Sequence, residues 1–154
     1  MVDMRRKDRA RDEAFAWEVL RHSVYSTLAL VKADGTPIAV PVNAVGDDVY
    51  KVIYFHCAGA GEKWEILKEN PKVSLSAVSH AAIKPMAFTT TYRAARFQGR
   101  AQVVTDEGEQ VKAMLLLCQT LDPKAMGQFS SMMEHCTARV VKIIPEEITA
   151  KENA

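Results

Sequence analysis

The sequence lacks the marks of several large function classes. Its three cysteines, Cys57, Cys118 and Cys136, are odd in number and show no C-x-x-C spacing, which argues against a disulfide framework and a cysteine-based zinc site. His22, His56, His80 and His135 are scattered, with no H-E-x-x-H or comparable motif, so hydrolytic zinc chemistry is disfavoured. There is no G-x-S-x-G elbow and no P-loop. The 20 basic and 19 acidic side chains nearly cancel, so no overall field recommends nucleic acid or an anionic membrane as a partner. No stretch approaches the roughly 18 continuous apolar residues of a membrane span, and the start, Met1 to Arg11, is charged. Internal repeats, low-complexity tracts and linkers are also missing. These absences predict a cytoplasmic protein whose function sits in a local site. Few of its groups can do hard chemistry unaided, which agrees with a cofactor carrying it.

What remains is an ordinary globular composition, 48% hydrophobic and 25% charged, in 154 residues, one domain's worth of chain spanning 1–154. Residues Asp8 to His22 read as a helix with an apolar stripe of Phe15, Ala16, Val19 and Leu20. Tyr25 to Lys32 and Pro37 to Asn43 form a hairpin about Ala33-Asp34-Gly35-Thr36, with Pro41 demanding an edge or a break because it cannot donate to a ladder. Gly46-Asp47-Asp48 turns the chain into a strand, Val49 to His56. Another strand runs from Val73 to Val78, Ser79 to Pro85 reads as a loop with His80 exposed and idle, and Phe88 to Val104 is a long strand bent at Gly99. Asp106 and Glu109 have capping-box spacing before an amphipathic helix that Asp122-Pro123 ends, with Cys118 as inert packing. Lys124 to Glu134 is Met-rich and suits an adaptable contact, a dimer partner or lid, or simple core filling. Cys136 to Ile144 is the last strand, Pro145 closes it, and 146–154 is an arm that frays. About six strands without regular βαβ alternation predict a mainly β, antiparallel barrel with peripheral helices.

One stretch organises the rest. The apolar run Val49 to Phe55 feeds a loop, Cys57 to Gly61, and a helix, Glu62 to Glu69, that Asn70-Pro71 must stop. Gly59 and Gly61 permit close backbone approach, the helix start offers unpaired N–H groups, and Lys63 adds a positive charge, so a phosphate would fit. The same residues also suit a plain turn with a solvated lysine. Trp64 and Leu67 read as core.

Tyr54-Phe55-His56, Ala58, Gly61-Glu62-Lys63, Leu67 and Asn70-Pro71-Lys72-Val73 resemble the signature of the pyridoxamine 5'-phosphate oxidase-like FMN-binding split barrels, and within them the nitroimidazole-resistance (Nim-type) branch. Met4-Arg5-Arg6-Lys7-Asp8, Val40-Pro41-Val42-Asn43, Tyr92-Arg93 and Glu147-Ile148-Thr149 support it in order along the chain. The resemblance implies a Greek-key-like split barrel and a homodimer with FMN at its interface. The phosphate would lie near Lys63, and the ring along Pro41, Val42 and Asn43 and along Tyr54, Phe55 and His56. Ala58 and Gly61 would shape the loop, Tyr92 would pack on the flavin or a substrate ring and Arg93 would pair with a phosphate, where the residues alone read as surface charges on a strand. It further implies an oxidoreductase passing electrons from NAD(P)H or another donor to a small electrophile such as a nitroaromatic, with His56 as catalytic proton donor or substrate orienter. A non-catalytic flavin carrier or sensor, or a barrel holding heme or a deazaflavin, stand as alternatives. Cys57 occupies a position often Ser or Gly, and Ala94 one often Ser, which leaves more of the phosphate to Lys63 and the loop backbone.

Overall fold

The computed structural model describes residues 3–154, so Met1 and Val2 of the charged start lie outside the described residues. A single 3-10 turn, Lys7–Arg9, leads into β1 (Ala10–Arg11) and α1 (Glu13–His22). The helix begins at Glu13, later than the expected start at Asp8. Asp12 caps it, its Oδ1 accepting from the Phe15 N–H at 2.9 Å, while Ala10 and Arg11 pair with Lys151 and Ala150. The hairpin is β2 (Ser26–Val31) and β3 (Pro37–Val42), turning at Gly35 with φ 88°.

A short strand absent from the sequence reading, β4 (Ala44–Asp47), comes next, and β5 spans Val52–Cys57. The expected start at Val49 is lost because Asp47 Oδ1 accepts from the N–H groups of Val49 and Tyr50 at 3.1 and 3.2 Å, folding the apolar residues between into a turn. The helix over Glu62–Glu69, α2, falls where Gly61 and Asn70-Pro71 place it. Then follow β6 (Lys72–Lys84), β7 (Thr89–Val103), α3 (Glu107–Leu121), α4 (Phe129–Glu134) and β8 (Arg139–Asn153). Two further expectations are corrected. β6 runs through the presumed loop Ser79–Pro85, since a register shift between Ser79 and Ala82, with His80 at φ 51°, lets pairing to β7 resume at Thr91. Pro145 does not end β8 either. It sits opposite Gly99 at a second register shift, and the ladder continues to Asn153, so the presumed fraying arm is paired.

All pairings are antiparallel, in the order β3-β2-β6-β7-β8-β5-β4, with β1 beside β8. The two edges, β3 and β4, are separated in sequence by Asn43 alone. Val42 and Ala44 therefore stand no more than about 7 Å apart, and the sheet must roll until its edges meet. No ladder joins β3 to β4 among the described residues, which leaves the barrel split. Its interior holds Leu28, Leu30, Phe55, Leu75, Phe97 and Ile143, with Trp17 of α1 against Phe97 at 5.0 Å between ring centroids. A second core lies under α3, where Tyr54 and Val45 meet Ala113, Met114, Leu117 and Val140. Successive β5 side chains alternate between these two cores.

Candidate functional site

The loop after β5 gathers most of the chemistry. Ala44 pairs with Phe55, so His56, the next residue, lies just past the end of the β4–β5 ladder, abreast of Asn43 at the barrel's seam, while still pairing with Val140 of β8. Phe55 is fully buried in the main core and Tyr54 is buried on the opposite face. The Tyr54 hydroxyl is 3.5 Å from Glu109 Oε1, which also accepts from Lys142 Nζ at 2.6 Å. Burial, then the Glu109 carboxylate, raises the Tyr54 pKa. His56 projects to the exposed surface, Cys57 turns inward and is buried, and Ala58 to Gly61 is exposed. Desolvation followed by the nearby Lys63 charge lowers the His56 pKa. Burial raises the Cys57 thiol, so it stays protonated and inert at neutral pH.

Gly61 is the N-cap of α2 at φ 102°, a conformation L side chains rarely adopt, and offers no side-chain cap. The Glu65 N–H returns to the Gly61 carbonyl at 3.1 Å, which leaves the N–H groups before it without helical acceptors. Lys63 Nζ stands over the Phe55 ring, 5.9 Å from its centroid. Ion pairs among the described residues engage twelve other cations or histidines, yet none includes Lys63. An ammonium without a carboxylate partner, on the first turn of a helix whose leading N–H groups lack helical acceptors, suits an anion.

The other candidates divide between two places. Pro41 is exposed on the edge strand, Val42 is buried, and the Asn43 amide donates to the Val24 carbonyl at 3.2 Å, fastening the seam beside His56. Tyr92 and Arg93 are elsewhere. Tyr92 pairs with Asn153, whereas Cys57 pairs with Arg139, so the two groups flank opposite ends of β8. The Arg93 guanidinium donates to Glu152 at 2.9 Å and the Tyr92 hydroxyl accepts from Arg9 at 3.4 Å. At that end lies a cleft of about 540 Å³ lined by Ser76, Ala94, Arg96, Thr149 and Lys151, among others. Sequence reasoning missed this cleft, because its side chains come from three strands whose register the pattern does not reveal.

A family model described as pyridoxamine 5'-phosphate oxidase matches residues 12–152. The chain belongs to this family. No curated protein sequence matches it significantly. Solved structures similar to this pyridoxamine 5'-phosphate oxidase family member share its fold at low identity. The flavocytochrome Anf3 from Azotobacter vinelandii is 17% identical with a TM-score of 0.78, covering 99% of this chain and 72% of that one. A candidate 5-nitroimidazole antibiotic resistance protein from Bacteroides thetaiotaomicron is 16% identical with a TM-score of 0.72, covering 92% and 84%. An FAD-binding protein from Mycobacterium smegmatis is 16% identical with a TM-score of 0.66, covering 94% and 99%.

Proposed function

We propose that the chain is an FMN-dependent oxidoreductase that reduces small electrophiles, nitroaromatics such as 5-nitroimidazoles among them, at a site shared by two copies. The observation that carries this is the end of β5 and the start of α2, where Lys63 has no carboxylate partner among the described residues and His56 lies exposed beside the Asn43 seam. Family membership and the flavin-related names of the structural neighbours support the choice of cofactor. Lys63 and the first-turn N–H groups of α2 would hold the phosphate, and Pro41, Val42 and Asn43 would border the ring. Bound FMN supplies two-electron transfer between a reduced nicotinamide and the acceptor. His56 orients the acceptor and manages its proton. Phe55 shapes the site from beneath without touching solvent, since its ring is fully buried.

The separation of Tyr92 and Arg93 from Lys63 along β8 supports a homodimer, because a second copy related by two-fold symmetry can bring one end of β8 to the other. A non-catalytic flavin carrier or sensor is the second reading. The lowered His56 pKa favours it, since a neutral imidazole is a weaker proton donor at neutral pH.

The deciding experiment records the visible spectrum with FMN, then adds NADPH and a nitroimidazole without oxygen. The expected result is bleaching by the donor and recovery with the acceptor. Binding without cycling selects the carrier, and no binding removes the cofactor. Lys63→Ala is expected to weaken FMN binding at least about tenfold, the worth of one charge-assisted hydrogen bond; parent-like binding and turnover would sink the phosphate assignment.

A further inference from the structure

We propose that Arg139 is a second phosphate anchor, acting with Lys63 so that the site selects a phosphate monoester, FMN, over unphosphorylated riboflavin. This inference rests on the flavin reading of the loop. Arg139 opens β8 and pairs with Cys57, which places it directly beside the strand end from which the loop departs. Its side chain lies across that loop. A Cβ built on Gly59 would stand 3.2 Å from Arg139 Cγ and 3.3 Å from Nε, so glycine leaves the hollow that this arginine fills.

Arg139 is exposed, and none of the ion pairs among the described residues includes it. Several other cations on the sheet behave otherwise, although Lys72, Lys84 and Lys151 are likewise absent from those ion pairs. Arg93, Arg96 and Arg100 each face a glutamate of β8, and Lys142, three residues along the same strand, holds Glu109. Two cations without carboxylates thus flank one glycine loop. A phosphate monoester carries between one and two negative charges at neutral pH, and the planar guanidinium can meet two of its oxygens. Riboflavin ends in a neutral hydroxyl, which can accept a hydrogen bond but forms no ion pair with either cation.

The test measures FMN and riboflavin affinities, by quenching of flavin fluorescence, for the parent, Arg139→Gln, Arg139→Lys and Gly59→Ala. Arg139→Gln should weaken FMN by about 10- to 100-fold while leaving riboflavin unchanged. Arg139→Lys should recover part of the loss by restoring charge. Gly59→Ala should weaken FMN as well, because the new methyl displaces the flexible arginine stem while the fold remains. Equal losses for both flavins would mean that Arg139 only braces the loop, and an unchanged FMN affinity would remove it from the site; either overturns the proposal. A parent that binds neither flavin overturns the flavin reading itself and this inference with it, whereas a parent that binds FMN no better than riboflavin overturns the phosphate selection alone.

Discussion

His56 stands at the surface next to a buried thiol, and its ionisation reports on its partial desolvation and on the Lys63 charge. Its folded pKa lies below the ordinary 6.5, first through desolvation and then through the Lys63 charge. The unfolded chain therefore takes up the proton first as pH falls. Stability contributed by the neutral imidazole is complete above about pH 6.5 and is lost as pH drops from there through the folded value. Melts of the parent and His56→Gln between pH 8 and 5 should run parallel at the alkaline end, with the parent losing more below pH 6.5. Curves that stay parallel throughout would show that the imidazole is not depressed. His56, Gly61 and Lys63 were legible in the sequence because they lie within eight residues and their chemistry is local. Arg139 was not, since only the β5–β8 register sets it beside Gly59. Glu109 was half legible: its N–H takes the Asp106 cap at 2.8 Å, but its carboxylate turns to Lys142 instead of closing the capping box.

At the scale of elements, the long strands β7 and β8 depend on one paired irregularity. Gly99 lies opposite Pro145, where the ladder shifts register. Proline has no N–H to offer, and the shift absorbs that loss without ending the strand. The approach leaves no room for a side chain, since a Cβ on Gly99 would sit 2.0 Å from the Ile144 carbonyl oxygen. Backbone cannot swing aside as a side chain can. Gly99→Ala should cost about 3 kcal/mol or more, read as a fall in the urea midpoint; a loss under about 1 kcal/mol would show that β8 relaxes freely. The sequence announced a bend at Gly99 and a stop at Pro145 separately. That the two cancel one another is a fact of pairing between residues far apart in the chain, which no local pattern carries.

For the whole molecule, the relevant distance is the length of β8. The loop that leads to Lys63 and the Tyr92-Arg93 pair lie toward its two ends, and the proposed homodimer would bring the two into one site. A Lys63→Ala copy mixed with an Arg93→Gln copy, after unfolding and refolding together, should regain tight FMN binding in part of the population. If each variant alone binds poorly and the mixture does no better, the shared site is refuted. The strand pattern announced a mainly β chain with peripheral helices, and the resemblance supplied the split barrel. The strand order was out of reach, as was β4, a four-residue strand hidden between an edge and a turn. No helix among the described residues is long and apolar enough to cross a membrane.

The Asn43 link gives this sheet an unusual kind of breathing. Edge strands ordinarily fray one at a time, each opening at its own rate. Here the last residue of β3 and the first of β4 are tethered through a single residue, itself fastened to Val24. Peeling one edge must pull on the other, so the two edges are expected to open together, which amide exchange along β3 and β4 would read. A ligand resting on Asn43 would then slow amide exchange along both strands together, although they sit at opposite ends of the sheet's pairing order.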